Sequence, residues 1–246
     1  MNSRTMVILV VVLTGLMLLI YSQTRPTDNQ QLTLRFHPKL GELPLVFDQY
    51  RYANPGGDGL FKIRDLQLFV SNLTLVGQDN RFVLPDSYHL LRFDLNEGWF
   101  DIDITYPADI NVAAIELGIG VDPQANGTIK IAGDLDPNGR MAWSWDVGYK
   151  FLLLEGAIKI GEEFSPLVYH VGFDENYQVV QIPLDKKALQ SSPAKINFSL
   201  DFMALFDQKT PFDMAQTSSV KFDRADAAFL AAGFSELLSL CDGSCD

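Results

Sequence analysis

Cysteine and histidine are scarce in this 246-residue sequence, which contains 2 Cys and 3 His. Both cysteines, Cys241 and Cys245, lie in the last six residues, which excludes a disulfide framework or a cysteine-rich zinc site in the body of the chain. Three functional motifs are also absent: the Gly-x-Ser-x-Gly nucleophile turn, the glycine-rich phosphate loop and the His-Glu-x-x-His zinc motif. The sequence therefore predicts a protein that is not an enzyme.

Basic side chains are few as well. Lys and Arg number 19 against 31 Asp and Glu, which gives a formal net charge of −12. A surface of this sign repels phosphate, so the composition argues against nucleic acid and anionic lipid headgroups as partners. The apolar share of 47% and the charged share of 20% exclude a disordered or collagen-like chain.

A long apolar run stands near the N-terminus. Residues 6–20 are uncharged and follow a first segment whose single charge is Arg4. This pattern is typical of a secretory signal, and the run is slightly shorter than the roughly 17–25 residues that span a bilayer. We predict a signal peptide or an uncleaved signal anchor over residues 1–21, a buried soluble helix being the alternative, and a polar tether over 22–30. The remaining chain is then periplasmic or otherwise extracytoplasmic, either secreted or tethered to the inner membrane through residues 6–20.

Apolar and polar residues alternate through most of the exported part. Apolar residues occupy every second position at 32–36, 66–70 and 100–104, and similar stretches occur at 128–132, 142–155, 177–184 and 194–202. Turn-forming Asn, Asp, Gly and Pro residues separate these stretches, which predicts many short strands. We predict one all-β domain over 31–246, an antiparallel β-sandwich or barrel-like domain with a short C-terminal helix at 224–240 that Asp223 caps.

Two short motifs favour structural roles. Residues 134–139 (Asp-Leu-Asp-Pro-Asn-Gly) match the first half of a calcium loop, but the twelfth position is Trp145 instead of a bidentate Glu, so we predict a turn. Cys241 and Cys245 are predicted to close a small terminal disulfide in an oxidising compartment, in preference to a metal site.

The histidines and two of the tryptophans leave two interpretations open. His37, His89 and His170 each lie in or beside a predicted strand, where imidazole is either a structural group or a ligand for copper or zinc. Trp143 and Trp145 stand two residues apart on a predicted strand, so both project from one face. They are either a core aromatic pair or an oxidisable aromatic site beside a metal.

The segment at 136–156, Asp-Pro-Asn-Gly-Arg-Met-Ala-Trp-Ser-Trp-Asp-Val-Gly-Tyr-Lys-Phe-Leu-Leu-Leu-Glu-Gly, resembles the signature of MbnP-like proteins. These are periplasmic copper-binding relatives of the methanobactin-associated protein and of the methanotroph surface copper proteins. The resemblance extends in order over about residues 31–206, with further matches at 36–37, 43–45, 68–73, 88–89, 117–122, 169–172 and 201–206.

This resemblance implies a metal site and a partner. In the family, a di-haem enzyme of the cytochrome c peroxidase type oxidises one tryptophan to kynurenine, and copper is then held by two histidines and the modified residue. The resemblance assigns His37 and His89 as ligands, Trp143 or Trp145 as the modified residue, and His170 a supporting role. We therefore expect a protein that binds copper, as Cu(I), for copper acquisition or handling.

The alternative is an exported β-sandwich interaction module. In that case the histidines and tryptophans are structural, and the protein binds no metal. Replacement of a ligand histidine distinguishes the two, because a binding protein would lose copper whereas a structural module would lose stability.

Overall fold

The computed structural model describes residues 28–93, 98–128, 132–144, 147–184, 194–241 and 245. The predicted signal or anchor at 1–21, most of the predicted tether and Trp145 lie outside these residues. So does most of the strand predicted at 128–132, and neither of the described end residues, Thr128 and Ala132, is in a strand.

Strands make up most of the described chain. In chain order they are β1 (Asn29–Leu40), β2 (Leu43–Pro44), β3 (Tyr52–Ala53), β4 (Leu60–Gly77), β5 (Arg81–Val83), β6 (Tyr88–Phe93), β7 (Phe100–Pro107), β8 (Val112–Ile119), β9 (Ala142–Ser144), β10 (Gly148–Ile160), β11 (Glu163–Gly172), β12 (Gln178–Pro183), β13 (Ala194–Asp201), β14 (Ser219–Val220) and β15 (Leu238–Leu240). The helices are α1 (Pro123–Asn126), α2 (Arg224–Ala231) and α3 (Phe234–Leu237), with 3₁₀ turns at Asp174–Asn176 and Phe202–Leu205.

The strands form two sheets. Sheet A has the order β15-β13-β1-β2, and β7 pairs with β1 as well. Sheet B has the order β12-β8-β4-β10-β11-β14, and β3, β5 and β6 pair with β4 while β9 pairs with β10. The predicted all-β sandwich is confirmed. Two of the strand pairs, β1 with β13 and β11 with β14, are parallel, which alternation alone does not reveal.

The main core lies between the sheets because alternate side chains of each sheet are buried there. From β1 it takes Leu32, Leu34 and Phe36, while sheet B contributes residues such as Leu68 and Leu154. In β4 the phase of alternation changes at Asn72, whose φ of 53° is left-handed. The register of β4 against β8 shifts at the same point, so leucines on both sides of Asn72 face the core.

A second, smaller core covers the outer face of sheet B. Here residues of the stretches 121–128 and 132–141 pack on β4, β6 and β10. The second stretch includes the turn predicted at 134–139, which is confirmed: the Asp136 side chain accepts a hydrogen bond from the Asn138 backbone N–H at 2.9 Å, and the Gly139 N–H bonds the Asp136 carbonyl at 3.0 Å. This stretch leads directly into β9 and Trp143.

Two predicted elements differ in the structure. The strand predicted at 142–155 is two strands, β9 and β10, which pair antiparallel, and Gly148 at the start of β10 has a φ of 83° that favours glycine. The C-terminal helix begins as predicted, with the Asp223 side chain accepting from the Asp226 N–H, but α2 ends at Ala231. Gly233 packs so closely that a Cβ there would lie 2.3 Å from the Ala204 carbonyl oxygen.

The prediction of helix at 238–240 is wrong. These residues form β15, which pairs with β13 and extends sheet A. Among the described residues, no helix is both long enough and apolar enough to cross a membrane.

The main core generates a stability prediction. Leu154 is 0% exposed in the middle of β10, so Leu154→Ala is expected to lower the free energy of unfolding by about 2–5 kcal/mol in urea denaturation. The control is Val179→Ala on β12, where the side chain is 57% exposed, with an expected change within about 0.5 kcal/mol. Equal effects of the two substitutions would contradict the assignment of Leu154 to the core.

Candidate functional site

His37 lies on the outer face of sheet A. Its neighbours Phe36 and Leu34 point into the core, so alternation along β1 turns His37 and Arg35 away from it. The His37 Nε2 atom is 3.2 Å from the Asn197 Oδ1 atom on β13. Because an amide oxygen only accepts, Nε2 is the donor in this contact, and in the neutral ring the lone pair is then on Nδ1.

Trp99 lies beside His37, which the sequence did not predict. The centroids of the two rings are 6.4 Å apart. The strands β1 and β7 are antiparallel with Phe36 opposite Phe100, and one further residue in this register puts Trp99 opposite His37. The indole is 38% exposed.

Arg35 also contacts Trp99. Its guanidinium carbon is 4.2 Å from the indole centroid. Its Nε and Nη2 atoms each donate to an Asp101 carboxylate oxygen at 2.7 Å. The hydrogen bond from Arg35 holds the pKa of Asp101 below its usual value, so the carboxylate stays charged and balances the guanidinium.

Trp143 is paired with a different histidine. Its ring centroid lies 6.5 Å from that of His170 on β11. The His170 Nε2 atom is 3.0 Å from the Glu155 Oε1 atom, and the other oxygen of that carboxylate accepts from Arg140 at 2.6 Å. Since a carboxylate only accepts, His170 too carries its proton on Nε2 and keeps Nδ1 free.

Burial sets the protonation of this second pair. The His170 side chain is 12% exposed, and burial lowers its pKa more than Glu155 raises it, with Lys150 and Lys221 lowering it further. Burial also raises the pKa of Glu155, but the hydrogen bond from His170 and the charge of Arg140 outweigh that effect and lower it overall. At neutral pH the pair is thus a neutral imidazole and a carboxylate.

Trp143 packs more tightly than Trp99. Its ring is 5.4 Å from Phe173 and 5.2 Å from Phe222. A Cβ at Gly172 would lie 2.8 Å from the indole, so only glycine leaves room for the ring there. Lys150 is 8% exposed, and its ammonium lies 6.0 Å from the indole centroid and donates to the Arg140 carbonyl oxygen.

His89 lies in a third environment. Its Nε2 atom is 3.1 Å from the Ser87 hydroxyl oxygen, two residues earlier in the chain. Burial lowers its pKa, against a smaller raising effect of Asp134. In the described part of the chain, neither His37 nor His170 is a hydrogen-bond or ring-contact partner of His89.

The structure thus pairs His37 with Trp99 and His170 with Trp143, while the side-chain hydrogen bond of His89 is with Ser87. Within the described ranges, no three His, Cys, Asp or Glu side chains lie close enough together to hold a metal ion. Cys241 and Cys245 are joined by a disulfide with a Cα–Cα distance of 5.8 Å. The sequence carried one signal for Trp99, its position at the start of an alternating strand, but nothing showed that this strand pairs with β1.

The ligand atoms that these histidines offer are of a type that binds copper. Neutral imidazole is a common copper ligand, and the hydrogen bonds of Asn197 and Glu155 fix the rings in the way that second-shell acceptors do in metal sites. His37 and His170 would each offer Nδ1. A thiolate ligand is excluded for the two cysteines while their disulfide is intact.

The fold and these residues define an all-β sandwich with two histidine–tryptophan pairs on its sheets. The chain belongs to the MbnP family, whose model matches residues 29–222. The solved structure of MbnP from Methylosinus trichosporium shares the fold, with a TM-score of 0.55 and 18% sequence identity over 80% of this chain and 82% of that one. None of the curated proteins matches this sequence.

The buried imidazoles generate a pH prediction. Unfolded histidine titrates near pH 6.5, whereas His89 and His170 have lowered pKa values in the folded protein. Below about pH 6.5 the unfolded chain therefore binds protons that the folded chain does not. We expect the free energy of unfolding in urea to fall between about pH 7.5 and about pH 5.5.

The double substitution His89→Gln with His170→Gln removes both imidazoles and so tests whether they cause this pH dependence. It should flatten the dependence over this range, because the carboxylates with lowered pKa values, such as Glu155 and Asp101, lose their contribution only at lower pH. An unchanged slope in the double variant would rule out these two histidines as its origin.

Proposed function

We propose that this protein binds copper outside the cytoplasm and serves copper acquisition or handling, without being an enzyme. Membership of the MbnP family supports this proposal, as does the resemblance of residues 136–156 to the signature of periplasmic copper-binding proteins. The proposal includes export through residues 1–21 and binding of copper as Cu(I), which tolerates few ligands. It also includes His37 and His89 as ligands and a kynurenine that a di-haem partner enzyme makes from tryptophan.

The contact between His37 and Trp99 carries the proposal. A site of imidazole and oxidised indole needs a tryptophan beside a ligand histidine, and the ring centroids of this pair are 6.4 Å apart. The resemblance points to Trp143 or Trp145 as the modified residue. Trp143 lies beside His170 instead, so His170 is the ligand that a site built on Trp143 would use.

Of the tryptophans in the two described pairs, Trp99 is favoured by electrostatics as the one that is oxidised. Removal of an electron from an indole leaves a positive charge, which an uncompensated cation nearby disfavours. The Arg35 charge beside Trp99 is balanced by Asp101. The Lys150 ammonium beside Trp143 donates to a backbone carbonyl. The charge of Glu155 acts on Lys150, but that carboxylate is hydrogen-bonded to Arg140 and His170 and is therefore shared.

Copper affinity of histidine variants tests the ligand assignment. Titration of the protein with Cu(I) against a coloured chelator should show binding that weakens roughly tenfold or more in His37→Ala and in His89→Ala. His170→Ala is the matched control and should bind as the wild type does if the site is at His37. Wild-type affinity in both His37→Ala and His89→Ala would show that the ligand assignment is wrong.

Peptide mass spectrometry tests the tryptophan chemistry. In protein from the native host, kynurenine is heavier than tryptophan by one oxygen less one carbon. Trypsin separates the candidates, because Trp99 lies between Arg92 and Lys130 while Trp143 and Trp145 lie between Arg140 and Lys150. We expect the added mass on the Trp99 peptide, with protein produced without the partner as the control.

The outcomes also separate copper binding from the interaction module. Added mass on the peptide of Trp143 and Trp145 would move the site to the second pair, with His170 as its ligand. If copper is bound and no tryptophan is modified, the site is one of two histidines without kynurenine. Unmodified tryptophans without copper would favour an exported module with structural histidines.

A further inference from the structure

Two charged residues that are not proposed as copper ligands, Arg35 and Asp101, lie beside His37 and Trp99. Arg35 and His37 are two residues apart on the outer face of β1, and Trp99 contacts both. Asp101 is two residues beyond Trp99 on β7 and lies directly opposite Arg35 in the register. Arg35, His37 and Asp101 therefore lie on one face of two adjacent strands, and Trp99, the residue before β7, lies beside them.

We propose that Arg35 and Asp101 form a clamp that holds the indole of Trp99 beside the imidazole of His37. The expected effect of the clamp on copper affinity rests on the proposed function. The expected effect of the clamp on the position of the Trp99 ring does not. The two residues are positioning residues, since they act on Trp99 and His37.

The geometry of the ion pair supports a positioning role. Both hydrogen bonds between Arg35 and Asp101 measure 2.7 Å, and a two-pronged guanidinium–carboxylate pair fixes the plane of the guanidinium. Isolated pairs on a protein surface contribute little to stability. What this pair adds is orientation, because the fixed guanidinium lies 4.2 Å from the indole centroid and attracts the face of the ring.

The surroundings of Trp99 make such a clamp necessary. Trp99 precedes the first residue of β7, so the ladder of hydrogen bonds with β1 does not fix it. Its side chain is 38% exposed, in contrast to Trp143, which is wedged against Phe173 and Phe222. The contacts with Arg35 and His37 are the ring contacts that the structure records for Trp99.

Two substitutions separate the geometry of the clamp from its charge. Asp101→Asn keeps the size of the side chain but removes the carboxylate that orients Arg35. Arg35→Lys keeps the positive charge but loses the two-pronged hydrogen bond and the planar contact with the ring. Glu116→Gln is the matched control, since it breaks an Arg–carboxylate pair with Arg81 elsewhere.

Fluorine NMR of the full chain labelled with 5-fluorotryptophan gives a readout that does not involve copper. The Trp99 resonance, assigned by its loss in Trp99→Phe, should move towards the position of free tryptophan in Asp101→Asn and in Arg35→Lys. The Trp143 resonance is the internal control for folding and should stay in place. Glu116→Gln should leave both unchanged.

Cu(I) affinity is the second readout. We expect it to fall about 10- to 100-fold in both clamp variants and to remain at the wild-type value in Glu116→Gln. An unmoved Trp99 resonance in both variants would overturn the clamp. A moved resonance with unchanged affinity would overturn its role at the copper site. Failure of the wild-type protein to bind copper would refute the proposed function, while the moved resonance would still support the clamp on the ring.

Discussion

Burial of every second side chain of β1 is the constraint on which the candidate site depends. Leu32, Leu34 and Phe36 fill the core between the sheets, and the same alternation turns Arg35 and His37 to the outer face. A shift of one residue would exchange the two sets, so the cost of exposing the apolar residues fixes the register. Pairing with β7 in this register then brings Trp99 to His37. Core stability and site geometry are thus set by the same strand.

The two histidine–tryptophan pairs differ in how the protein surrounds them. At His37 the orienting acceptor is an amide, and the cation beside the indole is matched by a carboxylate. At His170 the acceptor is a carboxylate shared with Arg140, and the indole lies among aromatic rings and near a buried lysine. The first pair is more exposed and the charge of its cation is balanced, whereas the second pair is largely enclosed by packing.

Local signals in the sequence predicted most of the fold. Alternation marked β1, β4, β7 and β13 because burial on one face of a strand repeats every second residue, and Asp223 marked the start of α2 because its side chain satisfies a free N–H. Pairing between distant strands leaves no such mark, which is why Trp99 was missed at His37. The end of the chain was misassigned because Leu238 and Leu240 suit either a helix or a strand, and their pairing with β13, which decides between the two, leaves no mark in the sequence.

The central claim is that an imidazole of the outer face of sheet A holds copper. X-ray absorption spectroscopy at the copper edge of the Cu(I)-loaded protein tests it most directly, with His37→Ala measured beside the wild type. The account predicts nitrogen ligation with the outer-shell scattering of imidazole, and a weaker imidazole signal in His37→Ala. Sulfur ligation from methionine, or an identical imidazole signal in the variant, would contradict it.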